Sequence, residues 1–286
     1  MRSLVLAADI GATKTMVAVL PADGRLGDAS PVRRFETPRD PVAAIGLIVD
    51  AAHRLVADTG GRLRAAGVVA PGPLDPTTGR IGFSPNLGWR DVPLGAWTAD
   101  RLGVPVAVDD DATAAALGEA HVGAGRGADP FVYLTVSSGI GAGIVVGGRT
   151  LRGAHGIAGE VGHLVIDPSG PRCGCGRRGD IESFAGGASL ARQARRIWAR
   201  VRLDDGSPAP RDAAGIFRAA RADLPEAVVL AEAAAEATGR AIAALAAVVD
   251  PACIALGGSV ALGQPWLRRR ATTVARQRAM AETGRV

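Results

Sequence analysis

The sequence predicts an α/β fold built as two related halves. Three observations carry that expectation. Short apolar runs of strand length alternate with longer, Ala-rich segments whose apolar residues recur at helical spacing. The 286 residues are 48% hydrophobic but only 3% aromatic, so the core must be built from Ala, Val, Leu and Ile, as in helices packed on sheets. Two glycine-bearing hairpin tips, at 9–15 and 137–141, echo each other along the chain.

The elements follow in order. Residues 3–8 are an apolar run, Asp9-Ile10-Gly11-Ala12-Thr13-Lys14-Thr15 turn the chain, and 16–20 return it as a second strand. A helix is expected over 43–57 and a buried strand over 67–70, broken by Pro71-Gly72-Pro73. Residues 104–108 form another strand that ends in Asp109-Asp110-Asp111 and leads into an Ala-rich helix over 112–119. Strands at 131–136 and 142–146 flank the second tip, and 188–199 and 228–249 read as helices, the latter stopped by Asp250-Pro251. A strand at 254–256 runs into the turn Gly257-Gly258-Ser259, and a helix over 266–280 follows. Ser207-Pro208-Ala209-Pro210 reads as a loop inside the second half. The expected division is a small α/β domain over 1–108 and a larger one over 109–286.

Composition excludes several function classes. The net charge of +5 comes from scattered arginines without interleaved aromatics, which reads as a solvated surface, not a nucleic-acid face. Three cysteines, Cys173, Cys175 and Cys253, make no disulfide framework and point to a reducing, cytoplasmic setting. The apolar run at 4–8 is too short for a signal peptide, and no apolar stretch reaches membrane-spanning length.

The densest chemistry lies between Gly159 and Glu182. His163, Cys173, Cys175 and Asp180 follow His-x9-Cys-x-Cys-x4-Asp, with glycines that let a short loop curl around one ion. Cysteines are also commonly buried as small apolar groups, and Cys3His is a commoner zinc set than one with a carboxylate, so both readings stay open. Glu160 and Glu182 bracket the loop, and the second nitrogen of a metal-bound His163 would point at whatever they bind.

Elsewhere, Lys14 is the only lysine and sits in a glycine-containing turn, where a compact cation suits phosphate. The two hairpin tips and the turn at Gly257 and Gly258 offer backbone N–H groups to phosphate oxygens. Capping a helix explains one of three consecutive aspartates, but three like charges repel and can raise a pKa.

These motifs resemble those of the ROK family (repressor, open reading frame, kinase). Its sugar kinases carry G-E-x-G-H followed by C-G-C-G-x-x-G-C-x-E, matched from Gly159 to Glu182 with Asp180 at the third cysteine. The family's D-x-G-x-T-K falls on 9–14, its G-T-G-I-G on 137–141 with Ser137 as the first residue, and its N-D-A-N-A-A-A-L-G-E on 110–119 with Asp110 and Thr113 at the two asparagines.

The resemblance implies a two-domain ribonuclease-H-like (actin-like ATPase) fold with the active site in the interdomain cleft. It implies an ATP-dependent kinase acting on a hexose, glucose at its 6-hydroxyl. N-acetylmannosamine, N-acetylglucosamine, mannose or fructose are alternative substrates, and a catalytically silent sugar-binding protein is the other alternative. By the same resemblance Asp111 is the base, and Asn86, Asp110, Glu160, His163 and Glu182 bind sugar. Asp9, Gly11, Thr13, Lys14, Ser138, Gly139, Gly257 and Gly258 hold ATP, with Asp9 reaching Mg2+ through water. His163, Cys173, Cys175 and Asp180 would hold a structural Zn2+. Trp89 reads equally as core or as a sugar platform. A repressor's helix-turn-helix has no room before Asp9. Related chains usually continue past the last helix, so lower stability or stronger reliance on a homodimer is expected.

Overall fold

The structure is a computed structural model that describes residues 2–72, 74–75, 77–84, 87–199 and 209–280. By contacts the chain divides into two compact units, Met1–Ala114 with Gly153–Ile157, and Ala115–Arg152 with Ala158–Val286. The sequence places the boundary after residue 108; the contact division falls six residues later, inside a helix.

In the first unit, β1 (Arg2–Ile10) and β2 (Lys14–Pro21) form the expected hairpin, with Ile10 opposite Thr15. Alternate residues of β1, Leu4, Leu6, Ala8 and Ile10, are buried, as the period of a strand requires. β3 (Arg33–Glu36) pairs with β2 at one edge. α1 (Pro41–Thr59) then crosses over to β4 (Gly61–Val69), which lies parallel to β1. Its start is set by Asp40, whose side chain accepts from the Ala43 N–H at 2.9 Å, and by Pro41 at the first turn. Ile45, Ile48, Ala52 and Leu55 turn its apolar face into the core.

A small antiparallel sheet follows, of β5 (Leu74–Asp75), β6 (Arg80–Ser84) and β7 (Trp89–Val92). Next come α2 (Leu94–Leu102), β8 (Val106–Asp109) and α3 (Asp111–Val122). β8 completes a five-stranded sheet of order β3-β2-β1-β4-β8, and its parallel pairing with β4 sets the three aspartates just past the strand end. The small sheet and α2 escape sequence reading because Gly79, Gly82, Gly88 and Pro93 break 74–102 into pieces too short to show a period.

In the second unit, β9 (Phe131–Val136), β10 (Ile140–Val146) and β11 (Arg149–Thr150) are joined by hairpins. α4 (Ile181–Ala185) and α5 (Gly187–Ile197) follow the His/Cys loop. α6 (Ala213–Arg221), unforeseen from the sequence, is capped by Asp212, which accepts from the Gly215 N–H at 2.7 Å. α7 (Pro225–Val249) leads to β12 (Cys253–Gly257), parallel to β9, and α8 (Ser259–Gly263) and α9 (Pro265–Arg278) end the described chain. The sheet order is β11-β10-β9-β12. Val132, Leu134 and Val136 of β9 pack with the buried alanines of α7 in one core. No helix among the described residues is long and apolar enough to cross a membrane. Residues 207–208 of the predicted loop lie outside the described residues.

Candidate functional site

The tip of the first hairpin is held from beneath. Gly11 N–H donates to the Lys14 carbonyl at 2.9 Å. The Thr37 hydroxyl donates to the Gly11 carbonyl at 2.8 Å and lies 2.9 Å from the hydroxyl of buried Thr15. Thr13 and Lys14 stand exposed on this braced tip. Asp9, half-buried at the end of β1, has its carboxyl raised above the ordinary range by desolvation, which the Lys14 charge partly offsets.

The three aspartates divide their work. Asp109 accepts from the Asp110 N–H at 3.1 Å. Asp110 is the helix cap, its Oδ1 accepting from the Thr113 N–H at 2.9 Å. Asp111 opens α3, with Oδ1 2.8 Å from the Ala112 N–H. Its side chain reaches solvent, yet the protein mass around it desolvates the charged form, and the charges of Asp110 and Asp9 add repulsion. The carboxyl is thus raised, against the pull of the Ala112 N–H. Trp89 is core: it is 2% exposed and its indole N–H donates to the Arg39 carbonyl at 2.8 Å. Asn86 lies outside the described residues.

The second hairpin tip is braced differently. Its carbonyls at Ser137 and Ser138 accept from the N–H groups of Gly187 and Ala188 at 2.8 and 2.9 Å, where α5 begins. Glu182 Oε2 accepts from the Ile140 N–H at 2.9 Å, close enough that a Cβ on Gly139 would lie 2.6 Å from that oxygen. Ser137 is not among the residues with left-handed backbone, so its side chain is accommodated, and its hydroxyl lies 3.0 Å from that of Ser259. Gly258, at φ 88°, brings the end of β12 against β9; a Cβ there would sit 2.5 Å from the Val136 carbonyl.

The His/Cys loop gathers all four of its expected ligands. One donor atom from each of His163, Cys173, Cys175 and Asp180 lies within 4.8 Å of the others. Asp180 Oδ2 is 3.1 Å from His163 Nδ1 and 3.5 Å from Cys175 Sγ, while Cys173 Sγ is 3.8 Å from that same nitrogen. A tetrahedral ion with bonds of about 2.0–2.3 Å has edges of about 3.3–3.8 Å; these three separations lie close to that range, and the thiol, imidazole and carboxylate chemistry suits one metal ion. The loop closes tightly at Gly179, whose φ of 69° and 1.4 Å approach of a hypothetical Cβ to the Asp167 carbonyl admit only glycine.

Asp180 is fully buried and serves two elements. Oδ2 faces the cluster, while Oδ1 caps α4 by accepting from the Ser183 N–H at 2.8 Å. Burial disfavours its charge, but donors from Cys173, His163, Ser183 and Cys175 outweigh that and hold its pKa below the ordinary value. Burial, with Asp180 alongside, pushes the Cys173 thiol up. On the far side of the imidazole, His163 Nε2 is 3.8 Å from Glu160 Oε2.

Comparison with known proteins gives the family. A sequence profile described as the ROK family matches residues 5–284. The chain belongs to the ROK family. It is 34% identical over 265 residues to a glucokinase of Streptomyces coelicolor, covering 90% of this chain and 82% of that one. It is likewise 34% identical over 270 residues to an N-acetylmannosamine kinase of Shigella flexneri, covering 92% and 85%. The crystal structure of a ROK family glucokinase from Streptomyces griseus in complex with glucose and AMPPNP superposes with a TM-score of 0.78 at 34% identity, covering 97% and 90%. The α/β architecture of this ROK chain is the two-domain, actin-like ATPase fold.

Motif reading missed several of the contacts that brace these tips. Thr37 lies in no motif and reaches Gly11 only through the pairing of β2 with β3. The bond from Glu182 to Ile140 joins residues 42 apart in sequence. Ser259 carried a signal, since it directly follows Gly258 in the noted turn.

Proposed function

We propose that the protein is an ATP-dependent sugar kinase that phosphorylates glucose at its 6-hydroxyl, with Asp111 as the base. The observation that carries the residue assignment is the environment of Asp111. It is a solvent-reaching carboxyl at the start of α3, raised by desolvation and by its neighbours Asp110 and Asp9. As the hydroxyl oxygen bonds to the γ-phosphorus and the bond from phosphorus to the ADP oxygen breaks, the hydroxyl proton passes to Asp111.

Lys14, Thr13 and the N–H groups of the two braced tips hold phosphate oxygens, with Gly257 and Gly258 on the adenosine side. Mg2+, when bound, would neutralise phosphate charge, and Asp9 is the residue that would hold it. Glu160, His163 and Glu182 orient the sugar together with Asn86 and Asp110, of which Asp110 has one oxygen committed to its cap. His163, Cys173, Cys175 and Asp180 would hold Zn2+, and the Nε2 of His163, 3.8 Å from Glu160 Oε2, would then be kept for the sugar. The protein works as a cytoplasmic homodimer.

A second substrate, N-acetylmannosamine, is favoured by one observation: kinases for it are as similar to this chain as glucokinases are. ADP release measured with glucose, N-acetylmannosamine, N-acetylglucosamine, mannose and fructose decides. The greatest kcat/KM is expected for glucose, and a greater value for an acetylated sugar would replace it. No ADP release with any sugar would leave a silent sugar-binding protein.

A further inference from the structure

We propose that Asp180 and Glu182 form a relay from the His/Cys cluster to the second hairpin tip, so that a metal ion in the cluster tightens the grip on nucleotide phosphates. The inference rests on the kinase reading above and adds to it a positioning role for both residues. Every link is short and runs through one element. Asp180 Oδ2 belongs to the cluster and its Oδ1 caps the first turn of α4 at Ser183. Glu182 rides on that same turn and holds the Ile140 N–H at 2.9 Å. The end of α4 leads directly into the N–H groups of Gly187 and Ala188, which hold the carbonyls of Ser137 and Ser138.

The tip is therefore gripped by a side chain of α4 and by the backbone at the start of α5. A five-residue helix is too short to persist by itself, so its position depends on what anchors its first turn. Ile181 and Ala185 anchor it in the core, and Asp180 is its polar anchor, whose carboxylate joins the His/Cys cluster to the helix because its two oxygens do separate jobs. A metal ion would fix Oδ2 more firmly than the imidazole and the two thiols that the carboxylate faces, of which His163 Nδ1 and Cys175 Sγ lie 3.1 and 3.5 Å from Oδ2. The nucleotide-binding effect is thus expected to be graded by how firmly α4 is fixed.

The test combines amide hydrogen exchange across 137–141 with calorimetric binding of AMPPNP, on protein with one equivalent of zinc and after chelation. For the wild type, chelation is expected to speed exchange at Ile140 and weaken AMPPNP about tenfold each, the effect of losing one charge-assisted hydrogen bond. Glu182→Ala is expected to show both deficits with zinc present and little further change on chelation. Glu182→Gln, whose amide oxygen still accepts from Ile140, is expected to restore the protection. Amides of α1 serve as the control for global unfolding and are expected to stay protected. Exchange and AMPPNP affinity unaltered by chelation in a wild type that binds nucleotide would overturn the relay and leave the kinase reading intact. Failure of every form to bind AMPPNP would overturn both.

Discussion

Two helices begin at an aspartate, and the two aspartates have been turned to opposite uses. At the start of α3, Asp111 reaches solvent, has Asp110 and Asp9 near it, and is raised. At the start of α4, Asp180 is fully buried and is lowered. Burial alone would order them the other way. Partners decide: Asp180 accepts from a backbone N–H and faces two thiols and an imidazole, whereas Asp111 faces like charge. A carboxylate with many donors is a fastener, and one held beside like charge is ready to take a proton.

The largest expected effect separates these roles. Asp111→Asn removes the proton acceptor while keeping the shape, so kcat should fall by about 10²–10⁴-fold. Because it relieves repulsion, the melting temperature should stay level or rise. A calorimetric scan beside the kinetics checks both halves of this statement.

Asp180→Ala should do the reverse and act first on the fold. It removes the side-chain cap and leaves the Ser183 N–H only its 3.0 Å bond to the carbonyl of residue 180, a loss of about 1–2 kcal/mol by denaturant unfolding. It should also abolish stoichiometric zinc by elemental analysis. Asp180→Asn keeps an acceptor for Ser183, so about half of that stability should return while zinc binding stays weakened.

The pH dependences should also run in opposite directions. Asp180 is lower in the folded chain than its 3.8 reference, so its stabilisation is complete above that pH and is lost as the pH falls below it, through the folded value. Asp111 is raised, so the fold is favoured by its protonation, and stability declines as the pH climbs from 3.8 through the raised value. In kinetics, Asp111 should give an acid limb of kcat/KM that lies above an ordinary carboxylate and vanishes in Asp111→Asn.

The smallest effect concerns the bracing of the first tip. Thr37→Val removes the hydroxyl that holds the Gly11 carbonyl and should raise KM for ATP about three- to tenfold with kcat nearly unchanged.

Sequence legibility followed the same division. Hairpins β1–β2 and β9–β10 and the long helix α7 were readable because their patterns run long enough to show a period. The clustering of His163, Cys173, Cys175 and Asp180 was readable because they sit within one loop of 18 residues, His163 to Asp180, closed by short-range backbone bonds such as Cys173 N–H to the Arg177 carbonyl. The division of labour among Asp109, Asp110 and Asp111 was not, since three identical letters conceal which one caps the helix. Nor was the double duty of Asp180, which depends on where α4 begins. Thr37 and the Glu182–Ile140 bond come from pairings made only in the folded chain.

The most direct measurement is ADP release with glucose and ATP by the wild type and by Asp111→Asn, both shown folded by calorimetry. Glucose-dependent release by the wild type, reduced at least about 100-fold in the variant, is the expected result. A folded Asp111→Asn that retains full turnover would contradict the assignment of the base.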